Sequence, residues 1–158
     1  MTGWLVAYGL LSFFCLAGSL MEHFAVMQGW SVVGSDEFAA VHTKQSNGIV
    51  GVYVIPKLVL TVTIAALLVI HPSGVPILLF WVSLILLAVS WAVSFLVEIP
   101  TQRRIRQSKS PTLIRRLIAF DWIRVGAVAF HAVTVCVVPY TSWASCTDRT
   151  GQLSRYDG

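Results

Sequence analysis

The amino-acid sequence predicts an all-α integral membrane protein, a four-helix bundle with both termini on the non-cytoplasmic side. Hydrophobic residues make up 56% of the 158 residues and charged residues only 11%, whereas about a quarter of the residues in a soluble domain are charged. Leu58–Val97 is a run of 40 residues without Asp, Glu, Lys or Arg. The basic residues are concentrated in one connection. This composition excludes a soluble globular enzyme and a disordered chain.

The four helices follow from the uncharged runs and the residues that interrupt them. Residues 1–21 carry no charge, and they predict a retained first helix because the run has no basic segment or cleavage site of a signal peptide. The run Leu58–Val97 is about twice as long as one span needs, and the Pro and Gly residues of His71–Pro76 divide it at a tight hairpin. The single domain is predicted to contain spans at residues 4–29, 49–70, 76–100 and 115–139, followed by a polar tail at 140–158.

The positions of Lys and Arg predict the orientation. Six of the 11 basic residues lie between the third and fourth predicted helices: Arg103, Arg104, Arg106, Lys109, Arg115 and Arg116. The positive-inside rule places this connection in the cytoplasm. The loop at 31–48 then lies on the same side, and we expect the chain in the plasma membrane of a bacterium. The basic connection that sets the orientation explains the net charge of +4, so this charge predicts no nucleic-acid binding. A disulfide between Cys136 and Cys146 stays open.

Ionisable residues inside the spans point to function, because a charge in the hydrocarbon region is costly and needs a partner. Glu22 and His23 lie about 10 Å from the cytoplasmic end of the first predicted helix, at a rise of ~1.5 Å per residue. Lys57 lies about 12 Å from that end of the second. Because these depths agree, Glu22 and Lys57 are predicted to form a salt bridge or to share one bridging water.

Helical spacing groups the polar residues on common faces. Asp121, Arg124 and His131 share one face of the fourth helix. Similar stripes on the second and third helices are Tyr53, Lys57 and Thr61, and Ser90 or Trp91, Ser94 and Glu98. The stripes predict a polar cavity open towards the cytoplasmic leaflet, with Lys57, Glu22 and His131 as substrate-binding residues.

The same residues allow a purely structural interpretation, which stays open. Asp121 and Arg124 can pair at i, i+3, and Glu98 can reach the basic connection at the membrane surface. Glu22 and Lys57 would then only join the first helix to the second.

A metal site is a further alternative. Two imidazoles and a carboxylate form the ligand set of non-haem iron, and His23, His42 and Glu98 can supply it, with Glu22 as the other candidate carboxylate. A haem between His23 and His131 is disfavoured, because their depths differ by about 15 Å. The cofactor is therefore unknown: either none or a non-haem metal ion.

Three short motifs follow one another along the chain. They are Phe38-Ala-Ala-Val-His42 with Ile49 following, Glu98-Ile-Pro-Thr-Gln102-Arg-Arg-Ile, and Leu117-Ile-Ala-Phe-Asp-Trp122-Ile-Arg124-Val. Together they resemble the anthrone-oxygenase-like family of small four-helix membrane proteins. The resemblance implies oxygenation of electron-rich aromatic polyketides or phenols without a metal or flavin. The residues that it places at the catalytic site are His42, Glu98, Gln102, Trp122 and Arg124.

A cofactor-free oxygenase needs a base and a cation. The base would make an electron-rich substrate anion, and His42 or Glu98 can fill that role. Arg124 or Lys57 can hold the anion.

Two classes of function follow from these observations. The first is a membrane-embedded oxygenase or oxidase that acts on a lipophilic aromatic small molecule. The second is a non-catalytic membrane subunit or a module that binds lipid or a partner. A transporter is a third class, although four helices without an inverted repeat would need to oligomerise to form a pathway. The expected partners are membrane lipid and a lipophilic small molecule, with a homo-oligomer or larger membrane complex left open.

Overall fold

The computed structural model describes the backbone of residues 2–72 and 75–153 and the side chains of residues 3–72 and 75–137. Within these ranges the chain forms a helical bundle without strands. Four helices are long and apolar enough to cross a membrane, as the sequence predicts. We call them the first to fourth helices: Gly3–Val32, Ser35–Ile70, Ile77–Gln107 and Pro111–Val137. The backbone of the fourth stays helical to Leu153.

The first three helices each contain one wider, π-helical segment. We call these the first, second and third π segments: Glu22–Met27, Val50–Val54 and Ser94–Glu98. The α-helical parts around them are Thr2–Met21 and Gln28–Val32, Ser35–Ile49 and Ile55–Ile70, and Ile77–Val93 and Ile99–Gln107.

Pro56 and Pro100 each lie two residues after a π segment. A proline lacks the N–H that would donate to the carbonyl four residues earlier, and its ring clashes with that carbonyl. Hydrogen bonds in a π turn reach one residue further, and such local adjustments let a helix continue past proline. The third helix accordingly continues past Pro100 to Gln107, and the prediction that it ends at Pro100 is wrong.

The predicted polar connections are also much shorter than expected. The second helix begins at Ser35, so the break after the first helix is confined to residues 33–34. The next basic connection is confined to residues 108–110. Polarity marks where an apolar span ends, but a polar segment can continue the same helix. For instance, Asp36 and Glu37 lie in the first turn of the second helix, where carboxylates interact favourably with the helix dipole.

The carboxyl-terminal segment differs from prediction for a similar reason. The backbone is helical past Pro139 to Leu153, where the sequence predicts a polar tail. One proline removes a single hydrogen bond, which does not by itself end a helix. A disulfide between Cys136 and Cys146 would involve the side chain of Cys146, which lies outside the described residues.

The second and third helices are joined at what we call the hairpin end of the bundle. The second helix ends at Ile70, and His71 adopts a left-handed conformation with φ 44°. The His71 N–H donates to the carbonyl of Leu67 at 2.9 Å, which satisfies one of the last carbonyls of the helix. Pro76 is extended, and the third helix starts directly after it.

Two apolar clusters pack the bundle, one near each end. The cluster of the hairpin half includes Leu60, Ile64, Phe80, Leu87 and Val128. The opposite end, which carries residues 108–110, is called the basic end, and its cluster consists of Met27, Trp30, Phe38, Ile105, Ile114 and Leu117. Large apolar side chains also cover the outside, with Leu10, Leu96 and Phe130 exposed by 69%, 76% and 67%. An apolar outer surface of this extent is typical of helices that face lipid.

Candidate functional site

The three π segments carry buried polar side chains. Glu22 and His23 lie in the first segment, Tyr53 in the second and Glu98 in the third. The side chains surround Arg124 of the fourth helix, which is itself completely buried. A π turn holds one more residue than an α turn between its hydrogen-bonded groups, so it re-aims the side chains that follow, and such turns are frequent at functional sites.

Arg124 joins carboxylates from three helices. Its Nη1 donates to Glu22 Oε2 at 2.6 Å, and its Nε donates to Asp121 Oδ1 at 2.5 Å. Glu98 Oε1 lies 2.8 Å from the same Nε. These contacts connect the first, third and fourth helices through one guanidinium group.

The Glu98 contact is an ion pair without a hydrogen bond. The Nε proton of Arg124 is directed at Asp121, so Glu98 Oε1 has no hydrogen-bond donor among the described residues. The other oxygen, Oε2, accepts a hydrogen bond from Ser94 Oγ at 3.0 Å. Glu98 therefore keeps one oxygen free to accept a proton or a ligand donor.

Asp121 extends the cluster to an imidazole. Its Oδ2 lies 2.6 Å from Nδ1 of His23, while its Oδ1 accepts from Arg124. His23 is buried, and its ring packs against that of Trp122 at an interplanar angle of 54°, with 4.4 Å between the ring centroids. The aspartate thus orients both the imidazole and the guanidinium.

The ionisable groups can exchange protons with a ligand. Glu22, Glu98 and Asp121 supply three carboxylates, while Arg124 and Lys57 supply two cations. If all five are ionised and His23 is neutral, the cluster carries one net negative charge, and one further proton makes it neutral. Buried charge is costly unless it is compensated. The cluster is therefore suited to taking up one proton when a substrate is deprotonated.

A cavity of about 230 Å³ adjoins the charged cluster, between the second and third helices. Its polar lining consists of Glu22, Ser46, Lys57, Ser94, Glu98, Gln102 and Arg124, and Tyr53 and Trp91 are among its aromatic residues. Val50, Phe95 and Ile99 also line it and are 49%, 58% and 37% exposed. The cavity thus combines a charged floor with an apolar mouth on the outer surface of the helices.

Lys57 is the least compensated charge that lines this cavity. The side chain is 1% exposed, and its Nζ has no hydrogen-bond partner among the described residues. It lies 4.3 Å from the centroid of the Trp91 ring and 5.2 Å from that of Tyr53. Cation–π contact stabilises an ammonium group but leaves its three N–H donors available to an acceptor on a ligand.

The direct salt bridge predicted between Glu22 and Lys57 is not formed, while the alternative of one bridging water stays a prediction. Glu22 pairs with Arg124 instead. Equal depth in the bundle brings two groups to the same level, but it does not determine the direction in which each points. Arg124 can contact several carboxylates because its guanidinium presents donors in a fork.

Three of the five predicted catalytic residues line the cavity, and two do not. Glu98, Gln102 and Arg124 line it, together with Lys57 and Glu22, which were predicted to bind substrate. His42 packs instead against Trp30, at 4.6 Å between ring centroids, in the cluster of the basic end.

Trp122 and His131 also lie elsewhere. Trp122 is 51% exposed and contacts His23 and Phe24 on the outside of the bundle. His131 lies about 10 Å further towards the hairpin end than Arg124, by the rise of a helix. Its Nε2 is 3.1 Å from Ser12 Oγ, within the packed hairpin half. His131 therefore does not contribute to the cavity.

Tyr53, Trp91 and Ser94 also line the cavity. Each belongs to a polar stripe that sequence spacing identifies on the second or third helix, and the stripes predict a common polar cavity. None of the three was predicted to have a catalytic or substrate-binding role.

The predicted metal ligands are not brought together. His23 contacts Asp121, His42 packs against Trp30, and Glu98 contacts Arg124. Among the described residues no group of three or more His, Cys, Asp or Glu is placed to hold a metal ion. The predicted ligands His23, His42 and Glu98 therefore do not fit a non-haem iron site.

Comparisons with protein-family models, with curated proteins and with solved structures find no match to this chain. The resemblance to the anthrone-oxygenase-like family rests on the three motifs alone.

Proposed function

We propose that this chain is a membrane-embedded oxygenase or oxidase that acts on a lipophilic aromatic compound, a phenol or a polyketide-like molecule. The observation that carries the proposal is the cavity between the second and third helices. Its lining includes Lys57 and Glu98 behind an apolar mouth, and Lys57 Nζ and Glu98 Oε1 have no hydrogen-bond partner in the described part of the chain.

Recognition of such a substrate follows from the lining. An ionised phenol oxygen accepts hydrogen bonds from Lys57 Nζ and from Nη2 of Arg124, neither of which has a partner within the described chain. Its ring packs against Trp91 and Tyr53. Apolar substituents extend through the mouth past Val50. Pockets that bind small molecules commonly have this combination of apolar walls and a few polar groups.

The proposed chemistry uses Glu98 as the base. Its free oxygen accepts a proton from the substrate, and Lys57 and Arg124 stabilise the resulting anion. The electron-rich anion transfers one electron to O₂, and the substrate radical and superoxide combine to form a peroxide at the reacting carbon. Glu98 returns its proton to the terminal peroxide oxygen. The hydroperoxide then loses water, which includes the remaining hydrogen of that carbon, so the CH₂ group becomes a carbonyl, one oxygen atom of O₂ enters the product and the other leaves as water.

A non-catalytic role is the second candidate, and a specific observation favours it. Glu22, Asp121, His23 and Arg124 are bound to one another in a buried network. Such a network can serve only to hold three helices together. The chain would then bind membrane lipid or a protein partner, as a homo-oligomer or as a subunit of a larger membrane complex.

The orientation is part of the proposal. The six basic residues at positions 103–116 support a cytoplasmic location for the basic end by the positive-inside rule. Both termini would then lie on the outer side of a bacterial plasma membrane.

Oxygen consumption tests the catalytic proposal. Purified protein in lipid nanodiscs is mixed with anthrone and with a series of alkylated anthrones, each of which has the required CH₂ group, and O₂ uptake is followed with an electrode. We expect uptake above that of empty nanodiscs and a loss of about 100-fold or more in Glu98→Gln, the usual contribution of a general base.

Glu37→Gln makes the same chemical change at an exposed residue of the second helix and should keep the full rate. A wild-type rate equal to that of empty nanodiscs for every compound would reject the oxygenase and favour the non-catalytic candidate. An undiminished rate in Glu98→Gln would reject the assigned base.

A further inference from the structure

A second cavity lies between the third and fourth helices towards the basic end, with a volume of about 240 Å³. Arg104, Arg116 and Thr101 form its polar part, while Leu96, Val97 and Phe120 belong to its apolar part. It shares no lining residue with the cavity that contains Lys57 and Glu98.

The polar part has two cations without a carboxylate. Arg104 and Arg116 make no ion pair among the described residues, and no acidic residue lines this cavity. The guanidinium carbon of Arg116 lies 5.6 Å from the centre of the Phe120 ring, a cation–π contact that leaves the N–H donors free. Two guanidinium groups that face one hollow are suited to bind a phosphate, because each presents parallel donors to its oxygens.

The polar and apolar parts are separated along the helix axis. On the third helix, Leu96 precedes Arg104 by eight residues, about 12 Å at the rise of an α-helix. On the fourth helix, which runs antiparallel, Arg116 precedes Phe120 by one turn. Leu96 and Phe120 therefore lie deeper in the bundle than the arginine of the same helix, whereas the apolar lining residue Leu113 lies on the basic-end side of Arg116. Leu96 is also 76% exposed on the apolar outer surface.

We propose that this cavity binds one anionic phospholipid, with its phosphate between Arg104 and Arg116 and an acyl chain along Leu96 and Phe120. The apolar part distinguishes a lipid from free inorganic phosphate, since phosphate alone would leave that surface uncovered. A zwitterionic lipid binds less well, because its own ammonium group compensates the phosphate charge. The inference is independent of the oxygenase proposal, since the two cavities have no lining residue in common.

Native mass spectrometry of the full chain released from detergent tests the site. The protein is titrated with phosphatidylglycerol and, separately, with phosphatidylcholine of the same acyl chains. We expect one phosphatidylglycerol to bind more tightly than any phosphatidylcholine. In the double variant Arg104→Gln, Arg116→Gln the affinity for phosphatidylglycerol should fall about tenfold or more, as expected when charge-assisted hydrogen bonds are lost.

The matched control is Arg103→Gln, Arg106→Gln, which removes the same charge from the basic end of the bundle at two residues outside the cavity. This control should keep the affinity within about twofold, because both arginines are exposed, neither lines the cavity, and salt screens the attraction between exposed charges that are not in contact. Equal losses in both double variants would reject a built site in favour of diffuse attraction. Equal affinity for the two lipids would also reject the proposal.

Two further measurements keep the test decisive. If the double variant does not fold, the single variants Arg104→Gln and Arg116→Gln should each weaken phosphatidylglycerol binding relative to Arg103→Gln, and unchanged binding would overturn the site. Inorganic phosphate at millimolar concentration should not displace the bound lipid. Complete displacement would show an anion site without a role for the acyl chain and would overturn the lipid assignment.

Discussion

Arg124 contacts three carboxylates but is hydrogen-bonded to only two of them, Glu22 and Asp121. Its Nη2 has no partner among the described residues, and neither does Glu98 Oε1. In a buried site such free groups are costly. The residue is therefore both a structural centre and a potential ligand donor, and these two roles predict different effects of mutation.

Loss of the guanidinium should destabilise the fold. Arg124→Leu leaves buried carboxylates without a cation, and removing one partner of a buried pair costs about 3–5 kcal/mol. In Glu22→Leu, Arg124→Leu the loss should be smaller than the sum of the two single losses, because the pair is removed together. Unfolding in mixed micelles with increasing SDS measures these values, and Arg103→Leu is the exposed control. Strict additivity of the two single changes would contradict the pairing.

Replacement of Lys57, in contrast, should affect ligand binding more than the stability of the fold. Lys57→Met removes an ammonium group that has no ionic partner in the described part of the chain, while methionine keeps the apolar stem. We expect a smaller loss of stability than in Arg124→Leu, because no ion pair is broken although the cluster loses one compensating cation and its cation–π contacts. Binding of an anionic phenol should weaken about tenfold or more, the value of a lost charged hydrogen bond.

Calorimetric titration in nanodiscs measures the affinity, and Lys44→Met is the control at an exposed lysine of the same helix. Unchanged affinity in Lys57→Met would contradict its role as an anion-binding group.

Sequence alone could identify most of the charged residues of the site but not their partners. Helical spacing placed Asp121 and Arg124 on one face, and depth placed Glu22 level with Lys57. Neither quantity determines the direction of a side chain around the bundle, which is why Glu22 was assigned to the wrong cation. His42 was assigned to the site by resemblance, whereas its ring packs with Trp30.

At the level of elements, the π segments explain much of what the sequence could not predict. Each π segment inserts one extra residue into a turn. The side chains after it therefore point in a different direction around the helix from those before it, although the amino-acid composition of the helix is the same on both sides. The second π segment, Val50–Val54, lies next to the cavity and contributes Val50, Tyr53 and Val54 to its lining. The long apolar runs predicted the four helices, but no pattern of residues predicted where these turns widen.

Removal of one residue from the second π segment should disrupt the cavity. Deletion of Val52, which is 43% exposed, would restore α-helical hydrogen bonding and rotate one half of the helix by about 100° relative to the other. Tyr53 and Lys57 would then no longer face the same cavity as Ser46. We expect helix content by circular dichroism to be retained and binding of the phenolic ligand to be lost.

The control is Val52→Ala, which keeps the residue count and should keep binding. Normal ligand affinity in the deletion variant would show that the wider turn has no part in forming the site.

At the level of the whole molecule, the distribution of charge predicts the orientation. The basic connection lies at one end of the bundle and the 71–76 hairpin at the other. In a background with Cys15, Cys136 and Cys146 replaced by Ser, a membrane-impermeant maleimide should label His71→Cys in intact cells. Ser108→Cys should be labelled only after permeabilisation, because the positive-inside rule places it in the cytoplasm. The reverse pattern would contradict the topology.

The apolar mouth of the Lys57 cavity also determines how an affinity for it must be expressed. A compound that reaches the site past Val50 and Phe95 comes from the hydrocarbon phase, so its chemical potential is set by its mole fraction in lipid. Its dissociation constant per litre of water should rise in proportion to the amount of lipid present, because more lipid dilutes the same quantity of partitioned compound. The dissociation constant expressed as a mole fraction in lipid should stay fixed. Without a correction for partitioning, a ranking of ligands by affinity would reflect their lipid–water partition coefficients instead of their fit to the site.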